Sequence, residues 1–251
     1  MKAILNKCTK KDFEFLSETL DSYLSFTNDR RRKELLAASD DHVQSREQLV
    51  ELMDKQIKYY GSSDIAYLKR AIFGDGGGVE FHEIVDDVCA KFKIKNKRGR
   101  SIESRLESLV NSIVDKELLS KTPEELSSTF KKMGVGDHDQ ELILEHIKKR
   151  GKVAVLSILA EILGPEVTLG ISETIVVSLI AQILGSQAVK KLLQEIIKRY
   201  PGINALLGGP VLWVLSGTWL AFDLQVPAYR KTIPICLYLG IVALRDGEEA
   251  A

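Results

Sequence analysis

Residues 122–166, TPEELSSTFKKMGVGDHDQELILEHIKKRGKVAVLSILAEILGPE, contain the change of character on which the reading of the fold turns. Thr122-Pro123-Glu124-Glu125 combines a capping hydroxyl, a proline at the first helical position and a glutamate three residues after the cap. Such a set satisfies the first amides of a helix with side chains and predicts a helix start. Asp137, followed three residues later by Gln140, begins another helix that runs toward Arg150. Beyond Gly151 the charges thin out. Residues 1–151 hold 27 basic and 27 acidic side chains, and residues 152–251 hold 8 of each. Helices so poor in charge must bury most of their surface against the chain itself, a partner or lipid. The expectation is therefore an all-α protein, with a charged helical domain over 1–151 joined to an apolar, glycine-rich helical domain over 152–251.

Working back toward the N-terminus, helical signals recur. Thr9 with Asp12 precedes Phe13, Leu16 and Leu20, which share a face, and Ser45 with Gln48 reads as a second capping box ahead of Leu49, Leu52, Met53 and Ile57. Residues 64–73 read as a short helix closed by Gly74, and Gly76-Gly77-Gly78 as a turn. Phe81, Ile84, Val85, Val88 and Phe92 repeat at helical spacing, with Cys89 beside them as a core thiol, and Ile102, Leu106, Leu109 and Ile113 continue the pattern. Working forward, 152–163 and 172–184 are apolar runs punctuated by Gly164-Pro165 and Gly185, and 186–199 is amphipathic. Tyr200 to Phe222 is a run of 23 residues without a charge. That length suffices to cross a bilayer, but glycines and Pro210 interrupt it, so it reads as a core element whose membrane contact is conditional. A last apolar run spans 233–244.

Composition excludes several classes. The 35 basic residues balance 35 acidic ones, so no global field draws nucleic acid or anionic lipid, and any such surface must be local. Three widely spaced cysteines, Cys8, Cys89 and Cys236, argue for buried thiols in a reducing compartment and against a disulfide scaffold or a structural zinc. The first sixteen residues contain no apolar run of signal-peptide length, which reads as a mature cytoplasmic chain.

Three kinds of chemistry have candidate residues in the chain. The glycines at 74 and 76–78 lack the Lys-Ser/Thr of a phosphate loop. His82 with Asp86, and His138 with Glu141, Glu145 and His146, have spacings that hold a metal only with further ligands, and read as surface hydrogen-bonding groups. No nucleophile has a convincing base beside it, so no catalytic residue, cofactor or metal is expected. Two stretches remain. Lys91 to Arg100 carries Lys93, Lys95, Lys97, Arg98 and Arg100 with no acid among them, and reads first as an exposed helix end and loop whose lysines suit the helix dipole, and second as a patch for the phosphates of nucleic acid or lipid headgroups. Tyr229, Arg230, Thr232 and Pro234 form a distinctive corner, where Arg230 is expected to pair with Asp223, the one acid between Arg199 and Asp246.

Residues 60–94, YGSSDIAYLKRAIFGDGGGVEFHEIVDDVCAKFKI, and 217–235, GTWLAFDLQVPAYRKTIPI, resemble the YaaW-like family of bacterial proteins. The resemblance rests on an aromatic-Gly motif, a Gly-rich turn before a helix with Asp-Val, and a Pro-Ala-Tyr-Arg-x-Thr-Ile-Pro ending. It implies a helical bacterial protein likened to chaperones of ubiquinol-cytochrome c reductase assembly. The function expected is a non-enzymatic binding or adaptor protein acting at or near membranes. The alternatives are an assembly chaperone for a membrane protein complex, or a conditional lipid-inserting effector. A protein partner and conditional membrane contact are expected, nucleic acid is not, and the place is the cytoplasm or the periphery of the inner membrane.

Overall fold

A computed structural model of the chain describes residues 1–21, 29–61, 79–95, 99–132, 135–150, 155–200 and 227–249. Among the described residues there are twelve helices and no strand, the all-α class that the periodicity predicts. The glycine run at 74–78, the short helix expected over 64–73 and the uncharged stretch from 201 to Phe222 lie outside the described residues.

The chain divides into two compact units, Met1–Glu107 with Asp223–Ala251, and Ser108–Phe222. These divisions fall elsewhere than the compositional break at Gly151. The first unit contains α1 (Lys2–Lys7), α2 (Lys10–Leu20), α3 (Asp29–Ala38), α4 (Val43–Tyr60), α5 (Phe81–Lys91) and the start of α6 (Ile102–Ser120). The second contains the rest of α6, then α7 (Pro123–Lys132), α8 (Asp137–Arg150), α9 (Val155–Leu163), α10 (Pro165–Leu184) and α11 (Lys190–Arg199). The last helix, α12 (Pro227–Glu249), belongs to the first unit, where it packs on α1, α2, α4 and α5.

The ends of these helices follow from local chemistry. Thr9 and Asp12 form the expected reciprocal cap of α2, and Thr122 with Glu125 does the same for α7. Ser45 does not begin a helix. α4 starts earlier, after His42 in an extended conformation, and Gln48 instead accepts a hydrogen bond from Arg31 on α3. α10 likewise starts at Pro165, seven residues before the expected 172, because Gly164 turns the chain with φ of +83° and proline presets the first helical residue. At the end of α4, Gly61 lets the backbone approach Ile84, whose side chain would lie 2.4 Å from an added Cβ.

Each unit has one helix buried on every side. In the first it is α12, where every residue from Thr232 to Ala243 is buried. Phe13, Leu16, Leu20, Leu49, Met53 and Val88 are likewise inaccessible, so the last apolar run completes a core whose other walls come from the first 107 residues. In the second unit it is α10, buried from Thr168 to Ala181. Its hydroxyls ask nothing of neighbours, since Thr168, Ser172, Thr174 and Ser178 each donate to the carbonyl four residues earlier, at 2.7–2.9 Å. Cys8, Cys89 and Cys236 are all buried, as core thiols should be.

Asp12 joins α2 to α12. Its carboxylate has 1% of its surface exposed and accepts from Arg245 Nη2 at 2.7 Å, Arg245 Nη1 at 3.2 Å, the Tyr238 hydroxyl at 2.7 Å and the Thr9 amide at 2.6 Å. Burial by itself would push this carboxyl up. The Arg245 hydrogen bonds and charge, with help from Tyr238 and Thr9, outweigh that and hold it below its ordinary range. Phe15 packs beside Tyr238 with ring centroids 4.4 Å apart.

Replacing Arg245 with methionine leaves Asp12 buried without its charge partner and is expected to cost about 3–5 kcal/mol, while R245M combined with D12N costs less than the sum of the two. Because the folded pKa is depressed, the Asp12 contribution is complete above the unfolded value of about 3.9 and is lost as pH falls through the folded value. Urea unfolding of the four species between pH 3 and 7 measures both effects. Strict additivity would refute the coupling.

Candidate functional site

The two stretches singled out by sequence meet in the first unit. The basic segment starts at Lys91, the last residue of α5, and the Tyr-Arg motif starts α12. Lys91 Nζ lies over the Tyr229 ring, 5.1 Å from its centroid. The next basic residue of the motif, Lys231, lies over Tyr60 at 4.1 Å and donates to the carbonyls of Leu20 at 2.9 Å and Asp21 at 2.5 Å. The ends of α2, α4 and α5 and the beginning of α12 thus share one corner.

Lys231 serves the fold. Carbonyls at the C-terminus of a helix have no amide partner within it, and an ammonium both satisfies them and complements the negative end of the helix dipole. Half-burial lowers the Lys231 pKa; the neighbouring Asp29 and Asp21 act against this and Arg32 adds to it. Beneath it, Arg32 is completely buried and uses its whole guanidinium. Nε donates to Ser17 Oγ, Nη1 to Asp29 and Gln56, and Nη2 to the Ser17 carbonyl and Asp21, at 2.6–2.9 Å. Five donors meet five acceptors, so the buried charge is fully hydrogen-bonded.

Arg230 differs from its neighbour and is exposed. Its expected partner Asp223 lies outside the described residues. Thr232 and Pro234 are buried inside α12. Pro234 has no amide to offer the Arg230 carbonyl, the acceptor four residues earlier, which weakens the helix at the corner. On the other side, Lys93, Lys95 and Arg100 are exposed, and Lys97 and Arg98 lie outside the described residues.

The turn that carries Lys93 has an unusual residue in it. The Lys93 amide donates to the Ala90 carbonyl at 3.0 Å and the Ile94 amide to the Cys89 carbonyl at 2.8 Å. That is the Schellman arrangement of a helix end, whose left-handed residue is usually glycine. Here it is lysine at φ +54°, the one described residue other than glycine with positive φ. The left-handed region costs an L-residue about 1–2 kcal/mol.

The other sequence candidates do not gather into sites. His82 is exposed, and Asp86 pairs with Arg105 from α6. His138, Glu141 and Glu145 are exposed, with Glu145 paired to Lys149. Among the described residues no three His, Cys, Asp or Glu side chains are placed to hold a metal. The sequence marks Asp12 as a cap and sets Lys231 beside Arg230 without showing the tertiary partner of either, and it gives Arg32 and Arg245 no role. Arg245 had a signal, as a lone base closing an apolar run.

Comparison with known proteins finds relatives along most of the chain. Its homologues are UPF0174 proteins of Helicobacter pylori. One from strain J99 is 26% identical across 94% of this chain and 91% of its own length. One from strain 26695 is 23% identical across 76% of this chain and 86% of its own, and a second J99 protein is 25% identical across 74% and 83%. No family model matches, and no solved structure matches. These relatives carry the bacterial likeness but neither the YaaW-like nor the chaperone label.

The corner separates into inward and outward cations, and substitutions should separate likewise. K231M strips the α2 carbonyls of their donor and is expected to destabilise by about 1–3 kcal/mol. R230Q should stay within about 0.5 kcal/mol of the parent. K93G relieves the left-handed strain and should stabilise by up to about 1 kcal/mol. Chemical denaturation ranks the three, and a destabilised K93G would contradict the strained turn.

Proposed function

We propose that this chain is a non-enzymatic binding or adaptor protein that works at the cytoplasmic face of a membrane, and that it binds through the corner shared by α5 and α12. The observation that carries this reading is the Lys91–Tyr229 contact. It draws together two basic segments that are more than 130 residues apart in the sequence, and leaves Lys93, Lys95 and Arg230, close to it in the chain, exposed. Cations that serve only the fold, such as Arg32, are buried and fully partnered. Clustered outward ones repel each other and suit an anionic partner.

A second reading, conditional insertion into lipid, draws on α10. It is the one described helix long and apolar enough to cross a membrane, and 83% of its most apolar stretch is buried. A buried helix of a soluble core meets the same criterion. What makes α10 specific is Glu173, 1% exposed in the middle of it, held by Arg199 Nη1 at 2.9 Å to each carboxylate oxygen and by the Tyr200 hydroxyl at 3.2 Å. Removing Arg199 takes a charge partner from this buried carboxylate and loosens the seat of α10.

Fractionation of cells producing the untagged full-length protein tests the main reading. The protein should divide between the soluble fraction and membranes, and the membrane share should leave with 0.5 M salt. A protein wholly retained after a carbonate wash would overturn peripheral binding. It would favour insertion, as would an R199A variant that moves from the salt-removable to the wash-resistant pool.

A further inference from the structure

We infer that the α5–α12 corner is a docking surface for the headgroups of anionic phospholipids. The inference rests on the membrane-face reading above and names its partner. Lys93 follows Lys91 by two residues and Arg230 follows Tyr229 by one, and a chain extends at most about 3.6 Å per residue. The Lys91–Tyr229 contact and the packing of α12 on α5 bring the two cationic segments to one corner of the unit, where like charges reinforce one another toward an anionic plane. Next to them in the chain are half-buried Ile94 and Tyr229, apolar bodies suited to the headgroup boundary.

Division of labour among the cations supports a built surface. Lys231 is drawn inward by the α2 carbonyls and Lys91 covers Tyr229, so Lys93, Lys95 and Arg230 are left to face outward. At Lys93 the turn takes a left-handed residue that glycine would supply without strain, yet a cation stands there. Strain retained at one residue is explained when that residue's charge is used.

The same geometry disfavours nucleic acid. Single strands are gripped by bases stacking on open aromatic faces, whereas the Tyr229 and Tyr60 rings are each faced by an ammonium group of the chain itself. A duplex needs a cationic track, but α5 leads back from the corner to Asp87, which is exposed, with Glu83 and Asp86 beside it. Partial burial, and after it the charges of Glu83 and Asp86, push the Asp87 carboxyl up. Along α5 the patch gives way to acids.

Co-sedimentation of purified full-length protein with vesicles tests this. Vesicles of phosphatidylglycerol and phosphatidylcholine should bind the protein, pure phosphatidylcholine should bind it at least about tenfold less, and binding should weaken as salt rises from 50 to 300 mM. K93Q/K95Q/R230Q should lose at least about tenfold in partition with an unchanged circular dichroism spectrum. K93G guards against a trivial loss by unfolding, since it should melt higher yet bind about threefold to fivefold more weakly. Equal binding to neutral vesicles, a triple variant or K93G that binds like the parent, or tighter binding to single-stranded RNA or duplex DNA at equal phosphate concentration would each overturn the proposal. A protein removable from cell membranes by salt yet indifferent to anionic vesicles would defeat the lipid partner and leave the peripheral reading standing.

Discussion

Asp12 is a carboxylate taken out of water in the first turn of α2, and it keeps its charge only because groups from the other end of the chain come to it. Tyr238 and Arg245 both belong to α12, more than 220 residues away, and Thr9 supplies the local part of the set. An unpaired carboxylate at that depth would be strongly destabilising, so the pairing sets where α12 lies against α2 and which of its faces looks at it. Once that is set, Phe15 packs at a tilt against Tyr238, and the buried stretch from Thr232 to Ala243 fills the space among α1, α2, α4 and α5.

The beginning of α12 inherits its position from the same constraint. Lys231 reaches the α2 C-terminus at Leu20 and Asp21, while the Asp12 cluster ties α12 to the α2 N-terminus, so the two helices are joined at both ends of α2. Arg32 then fastens α2 to α3 and α4 from within through Ser17, Asp29 and Gln56. This polar frame is what holds Tyr229 under Lys91 and keeps Arg230 outside. The proposed binding corner is thus the outward side of a set of ion pairs and caps whose inward side is structural.

The two helices that are buried through their middles solve the problem of polar groups differently. In α10 four hydroxyls are satisfied by the helix's own carbonyls, so each can face any neighbour without cost in unmet hydrogen bonds, and only Glu173 requires a partner from α11. In α12 the polar groups, Tyr238 and Arg245, look outward from the helix to a specific acceptor. The first arrangement tolerates many surroundings, lipid included. The second specifies one neighbour, as is fitting for a helix that completes a core begun at the opposite end of the chain.

Much of this was legible in the sequence because its causes are local. Helix class follows from apolar spacing, and the caps at Thr9 and Thr122 follow from side chains three residues apart, so both were read correctly. Local signals also misled where two were in competition: Ser45 with Gln48 has the pattern of a cap, but Gln48 found Arg31, and Gly164-Pro165 starts a helix as readily as it separates two. The apolar run over 233–244 states that this segment is buried and is silent on what covers it. The choice of Lys231 over Arg230 for the inward place, the meeting of Lys91 with Tyr229, and the capture of Arg245 by Asp12 depend on helices that are distant in sequence being brought together. No spacing rule encodes such contacts, because their geometry exists only once the core has closed.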